Sequence, residues 1–350
     1  MRIVSIFLLF YFILLGQIEV KAQYPTDYSF ESYKIKDGLS EAGCFTVYQD
    51  HLGYVWVGTI GLERFDGYVF KNYRASVFDS TAIPNGQKRI IKEDHHQNLW
   101  VGTQNVISKL NRKTDTWENY PINNNNISFN DACFSKDDNE IFVTSYSNGL
   151  FVFNTKNKTW KQFTYGSNML TKIAAISDNE LLIATVDGLV LFNTKTKKFT
   201  QSYLETKSIT TQTSFKDFAQ IDKTHWYVSS TKGIYIFNKQ DGLKPAFVFK
   251  KGTNNSIMDN NVNAIYFNPQ KQELWARIAI KGLDIIHLKT NTVTHLNNET
   301  YPDVNFIKNS ISKIIEDKQG NVWLATNDGL FKYNPTRKEI KTISDKEPYA

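Results

Sequence analysis

The stretch from Asp50 to Gly67, DHLGYVWVGTIGLERFDG, decides the fold because the chain keeps returning to it. Taken once, it holds an acid, a tryptophan between valines, an arginine and a closing Asp-Gly, and could be either a reactive cluster or scaffold. Aligned on the Trp56 position, it comes back as VYQDHLGYVWVGT (47–59), IKEDHHQNLWVGT (91–103), FSKDDNEIFVTS (134–145) and ISDNELLIAT (176–185). Three more copies follow, IDKTHWYVSS (221–230), FNPQKQELWARI (267–278) and IEDKQGNVWLAT (315–326). The anchors are Trp56, Trp100, Phe142, Leu182, Trp226, Trp275 and Trp323, spaced by 44, 42, 40, 44, 49 and 48 residues. Self-similarity at that period signals a repeat architecture.

Each anchor is followed by a second landmark: Gly61-Leu62, Gly149-Leu150, Gly188-Leu189, Gly233-Ile234, Gly282-Leu283 and Gly329-Leu330. The second unit carries Asn105-Val106 there, asparagine being the residue that next most readily accepts a positive φ. A short strand comes next (LERFD, LFVFN, LVLFN, IYIFN, LFKYN), then a turn and another aromatic-bearing segment such as VFKNY or TWENY. One unit therefore reads as four short strands. Its second strand, YVWVGT, alternates large and small residues as a strand packed between sheets does. The anchor ring fills the gap to the next unit, contributing on the order of 2–3 kcal/mol by buried area. A single unit has two apolar faces and cannot stand alone, whereas a closed ring buries every face and protects the edges. No window sustains apolar residues at helical spacing. The expected fold is all-β, a seven-bladed β-propeller of four-stranded blades. Two segments compete to complete the last blade, YSFESY (28–33) near the start and KEIKTIS (338–344) near the end.

The N-terminus reads differently. Met1-Arg2 precedes the apolar run IVSIFLLFYFILLG and then QIEVKAQ, with Val20 and Ala22 placed for cleavage before Gln23. That is the pattern of a signal peptide over residues 1–22. The run is shorter than the roughly 20 apolar residues a bilayer crossing needs. The expectation is an exported, periplasmic or secreted propeller domain over 23–350, standing free or as the N-terminal part of a longer sensor. After cleavage 39 basic and 34 acidic residues remain, a net +5, with the lysines scattered between strands. No basic stripe tracks phosphate, so nucleic acid is not an expected partner. Cys44 and Cys133 fall in units with one whole unit between them, too far for a bridge whose Cα atoms must come within about 7 Å. Two unpaired thiols are expected.

The run DGLSEAGCFTVYQDHLGYVWVGTIGLERFDGYVFKNY (37–73) resembles the two-component regulator propeller repeat: D-G-L-S, then D-x-x-G-x-x-W-x-G-T, then G-L-x-R-F/Y-D-G. IEDKQGNVWLATNDGLFKYNP (315–335) repeats it and the second unit does so in part, while units three to six keep mainly the Gly-Leu/Ile and strand-turn pattern. The resemblance implies the periplasmic sensor region of Bacteroidetes-type hybrid two-component histidine kinases. There, propellers precede a β-sandwich, a membrane helix and a kinase, and commonly detect oligosaccharides to control polysaccharide-utilisation genes. This chain holds one ring's worth of repeats where the family usually has about two, and no kinase. The partners implied are an oligosaccharide or other small ligand, the downstream propeller, β-sandwich and membrane kinase of a longer sensor, and a second copy in a homodimer.

Catalytic patterns are weak. The sialidase turn S-x-D-x-G-x-x-W needs an Asp–Trp offset of five, whereas Asp50–Trp56, Asp94–Trp100 and Asp317–Trp323 are offset by six with no serine two before the acid. The arginines Arg64, Arg74, Arg89, Arg112, Arg277 and Arg337 fall at unrelated unit positions. The histidines His51, His95, His96, His225, His287 and His295 have no metal-ligand spacing, and no phosphate loop occurs. No catalytic residue, metal or cofactor is expected. Strand order puts the loops after the second strand and those joining units on one face, with the Asp-x-x-Gly and Phe-Asp-Gly turns on the other. The first face carries the length variation, at 74–89, 205–217 and 250–263, and variable loops on a rigid scaffold are where recognition resides. The candidate ligand contacts there are Arg89, Tyr146, Asn148, Asp187, Lys232, Arg277, Lys281, Asn327 and Asp328. Two functions remain open: a ligand-sensing input domain, or a free-standing secreted propeller that binds protein or glycan or acts as a divergent lyase or glycosidase.

Overall fold

A computed structural model describes residues 28–123, 127–203, 213–253, 255–299 and 310–335. They form seven four-stranded antiparallel sheets, the blades of a ring. Blade one is Thr46–Gln49, Val55–Gly58, Leu62–Phe65 and Phe70–Tyr73, each strand bonded to the next in sequence. Blades two to six repeat this order. The innermost strands of blades two to seven are Ile90–Glu93, Phe129–Phe134, Leu170–Ser177, Phe215–Gln220, Val262–Asn268 and Ile311–Glu316. Among the described residues only Ile35–Asp37 is helical, a single 3₁₀ turn, and no helix is long and apolar enough to cross a membrane. The proposed leader, 1–22, lies outside the described residues.

Blades adhere through their second strands. Trp56, fully buried, packs with Ile91, Leu99, Val101 and Trp117 of blade two, and Trp100 meets Phe129, Ile141 and Val143 of blade three. Phe142, Leu182, Trp275 and Trp323 repeat this toward the blade after their own. Blade five corrects the expectation. There Trp226 turns back onto Leu182, Ala184 and Leu189 of blade four, and Tyr227 is the residue against Val262, Ile265 and Phe267 of blade six. Successive strand residues face opposite sides, so a one-residue slip reverses the contact. The register is set by the strand's end, where Ser230 donates to the Gly233 carbonyl as Thr185 does to Gly188 and Thr326 to Gly329.

The glycine landmark is also uneven. Gly149, Gly188, Gly233, Gly282 and Gly329 have positive φ, but Gly61 and Asn105 do not. Blade one reaches its glycine two residues after Thr59, one residue sooner than blade four, so the turn is tighter. In blade two Ile107, not Val106, stands opposite Gly102, so Asn105 lies one position early; its side chain donates to the Ile122 carbonyl.

The ring is closed by the N-terminal strand. Phe30–Tyr33 is the outermost strand of blade seven, pairing Phe30 with Tyr333 and Tyr33 with Leu330. The competing segment 338–344 lies outside the described residues. Tyr33 fastens the joint, stacking on Trp323 at 5.8 Å and leaning on Phe65 of blade one at 5.1 Å. Cys44 and Cys133 are free thiols, as their blade positions require.

Candidate ligand-binding site in the central channel

The seven innermost strands enclose a cavity of about 810 Å³. Its middle layer is set by the register. Opposite Gly58, Gly102, Thr144, Ala184, Ser229, Arg277 and Ala325 of the second strands stand Thr46, Ile90, Asp131, Lys172, Asp217, Ala264 and Lys313. Four of these seven side chains are ionisable, and all four line the cavity. Lys172 bridges the two acids, 3.4 Å from Asp131 and 3.1 Å from Asp217, and Lys92 reaches across from blade two to Asp131 at 2.7 Å. Each acid also ties its blade to the next by accepting a backbone N–H, Ile173 for Asp131 and Ile265 for Asp217.

Burial alone would raise both carboxyls, but Lys172, joined by Lys92 at Asp131 and by Lys313 at Asp217, holds them below the usual carboxylate range. Burial would likewise lower Lys172, and the two acids outweigh it and raise its pKa. Lys313 is the odd member. The Lys172 ammonium, with burial, pushes it down to about 8. Three lysines face two aspartates, and Lys313 makes no ion pair among the described residues.

Above this layer the strands bulge. The register skips one residue in five innermost strands, at Asn130, Thr171, Lys216, Asn263 and Ser312, and each of these lines the cavity. A bulge re-aims a side chain and bends its strand, so five blades present a polar residue at the channel mouth. Asn130 and Thr171 donate to Leu170 and Phe215 carbonyls of the next blade, while Lys216 donates to the side-chain oxygens of Asn263 (2.9 Å) and Asn261 (3.3 Å). Arg89, Tyr146 and Arg277 join them on the cavity wall. Arg89 is clamped by Gln87 and lies 5.3 Å over the Phe45 ring.

Three of the nine expected contacts thus meet at the mouth. The other six do not line this cavity. Asn148, Asp187, Lys232 and Asp328 donate their backbone N–H groups to Ser145, Thr185, Ser230 and Thr326 hydroxyls, so they belong to the hairpin turns themselves. Asp328 is further engaged with Lys34, and Asn327 accepts the Ser310 N–H. Lys281 borders a separate cavity of about 400 Å³ beside Phe249 and His295. Sequence reasoning missed the bulge ring and the Asp131–Lys172–Asp217–Lys313 layer. Their one signal is charge at an inward position of a first strand, in DACF, TKIA, KDFA and SKII.

The opposite face holds the repeated acids of the first strand-turn as hydrogen-bond acceptors for tryptophan. Asp50, Asp94 and Asp317 accept the indole N–H of Trp56, Trp100 and Trp323 at 2.9, 2.9 and 2.7 Å. Arg112 cross-links blades there, reaching Asp50 at 3.0 Å and Glu93 at 2.7 Å. His95 and His96 each place Nδ1 2.7 Å from Asp138. Asp94, His96 and Asp138 could offer ligand atoms within 4.8 Å of one another, but Asp94 is already bonded to Trp100 and Asn98.

Comparison with known proteins agrees with this architecture. Residues 305–328 match the family model described as two component regulator propeller. Blade seven carries that repeat. "Histidine kinase P4" of Formosa agariphila is 42% identical over 84 residues, 24% of this chain and 6% of that protein. The extracellular domain of the hybrid two component system BT3049 from B. thetaiotaomicron superposes with a TM-score of 0.70 at 19% identity, over 88% of this chain and 42% of that one. A streptogramin B lyase superposes at 0.67 with 14% identity, over 88% of this chain and 97% of that one. At these identities the solved structures share the fold. The chain spans a small part of the curated relative's length and less than half of the extracellular domain.

Proposed function

We propose that this chain is the exported, ligand-binding input region of a two-component signalling system, and that it detects an oligosaccharide at the channel mouth. The observation that carries this reading is the mouth itself: a roomy cavity whose rim carries Arg89, Tyr146, Arg277 and the bulged residues. A ring of amides, hydroxyls and cations around an exposed tyrosine suits a hydroxylated ligand, with the polar groups fixing its orientation. The family repeat in blade seven and the likeness to an extracellular sensor domain point the same way. The second reading is a divergent propeller lyase or glycosidase, since a streptogramin B lyase shares this fold. Against a glycosidase, the two central carboxyls are lysine-held and below the ordinary range, where a general acid needs a raised pKa.

Thermal-shift titration with plant, algal and host oligosaccharides tests the proposal. A concentration-dependent rise in Tm with at least one glycan, lost in a triple variant Arg89→Ala, Tyr146→Ala, Arg277→Ala, is the expected result. Undiminished binding by that variant would move the site elsewhere. Turnover of a bound glycan would replace sensing by catalysis.

A further inference from the structure

Among the described residues the charges at the channel mouth do not balance, and the imbalance has one sign. Of the four carboxylates along the cavity, Glu93 and Asp94 lie at the far end of their strand, held by Arg112 and Trp100, and Asp131 and Asp217 are taken by Lys92 and Lys172. The mouth keeps Arg89, Lys216 and Arg277, with Lys313 in the layer beneath. Lys216 has only amide oxygens as acceptors, and Arg277 makes no hydrogen bond or ion pair among the described residues. Arg277 also breaks the repeat. Its position is held in the other blades by Gly58, Gly102, Thr144, Ala184, Ser229 and Ala325, all small. At Gly58 a Cβ would come within 2.1 Å of the Lys88 carbonyl oxygen, which shows how tightly that position usually packs. Blade six makes room for a guanidinium there because its partner residue is Ala264. Burial and the Arg277 guanidinium together depress the Lys216 ammonium, so two cations share one partly desolvated rim with no counter-charge among the described residues. Such an arrangement is unfavourable when empty and favourable once an anion is seated.

We infer that the channel mouth binds the anionic group of an acidic oligosaccharide, a carboxylate or a sulfate ester, with Arg277 as its forked donor and Lys216 and Lys313 as its flanking cations. This rests on the glycan-sensing reading above and adds the ligand's charge class to it. A guanidinium meets a carboxylate or sulfate through two parallel N–H donors, which an ammonium cannot do. The anion would sit over Lys313 and offset the Lys172–Lys313 repulsion.

Calorimetric titration of the purified protein with matched probe pairs tests this. The first pair is oligogalacturonates and their methyl esters; the second is sulfated galactan oligosaccharides and their desulfated forms. The charged member of at least one pair is expected to bind about ten-fold or more tightly than its neutral partner. Its affinity should fall as salt rises from about 50 to about 300 mM, a range over which the Debye length shrinks by roughly half. Arg277→Met should lower that affinity about ten-fold or more, Arg277→Lys less, and Lys216→Met should act in the same direction; unfolding midpoints verify that the variants are folded. Preference within the first pair assigns a carboxylate, and within the second a sulfate. Equal binding of neutral and charged members, or affinity unmoved in both Arg277 variants, overturns the acidic-ligand inference and leaves glycan sensing standing. Failure of every probe, neutral and charged, overturns both.

Discussion

Asp50 shows how a residue's neighbours change its meaning. In sequence it is a turn acid, because D-x-x-G is a turn pattern, and Trp56 six residues on is an evident core residue. In the fold the two are one unit: the fully buried carboxylate accepts the indole N–H, the Tyr54 N–H and one arm of Arg112. The indole bond could not be read from spacing, since it needs the hairpin to fold the acid over the ring. Removing the acceptor leaves the buried indole unpaired and takes from Arg112 one of its two carboxylates, Glu93 remaining, so Asp50→Ala should cost about 3 kcal/mol in urea unfolding, and Asp50→Asn, which can still accept, about half of that. The cysteines give a second residue-scale test. Burial pushes both thiols up to about 12, with Glu63 adding to the rise at Cys44. Since the thiolate is the reactive form, native protein at about pH 8 should react with an alkylating reagent on the order of 1,000-fold more slowly than unfolded protein. Their effect on stability has a definite sign. The contribution of these thiols is fully present below the unfolded value near 9 and is lost as pH rises from there toward about 12.

The innermost strands were the least legible elements. DACF, TKIA, KDFA and SKII each open on one or two polar residues and continue apolar, with no period-two alternation to mark out a polar face. Only a closed ring turns the inward face onto six others and makes a shared layer of Asp131, Lys172, Asp217 and Lys313. The bulges were hidden too, because an extra residue in a strand leaves no mark in composition. Within the layer the pairs are unequal. Asp217→Asn takes from Lys172 one of its two carboxylates and should destabilise by about 3 kcal/mol. Lys313→Met removes a cation that Lys172 repels and should leave stability unchanged or raised, as read from the urea midpoint. The stability of the wild type relative to that variant should fall as pH drops from the unfolded lysine value near 10.4 toward about 8. A depressed base is destabilising where it must carry its proton. The groups acting on Lys313 across that window are Lys172, Asp217, Asp131 and Lys92.

At the scale of the whole molecule, seven units and their order were legible because large residues recur at the second strand. Which loops share a face was legible from strand order. What could not be read was which end of the chain finishes blade seven, since both candidate segments have strand character. Pairing decides it through aromatic complementarity: Phe30 lies against Tyr333, and Tyr33 against Trp323, Phe65 and Phe70. Tyr33→Ala should therefore cost about 2–3 kcal/mol in urea unfolding. Deletion of residues 28–34 should expose Gly329–Tyr333 as an open edge and drive self-association on a sizing column.

The same joint has a mechanical consequence. Phe30 and Tyr333 are opposite one another, so the chain leading into the first strand and the chain leaving the last meet at one end of a single antiparallel pair. Tension applied between the chain before residue 28 and the chain after residue 335 falls on that pair and on no other blade. It loads the ladder from Phe30 toward Tyr33 one rung at a time, as a zipper is drawn, so the latch yields at low force while six blades carry none of the load.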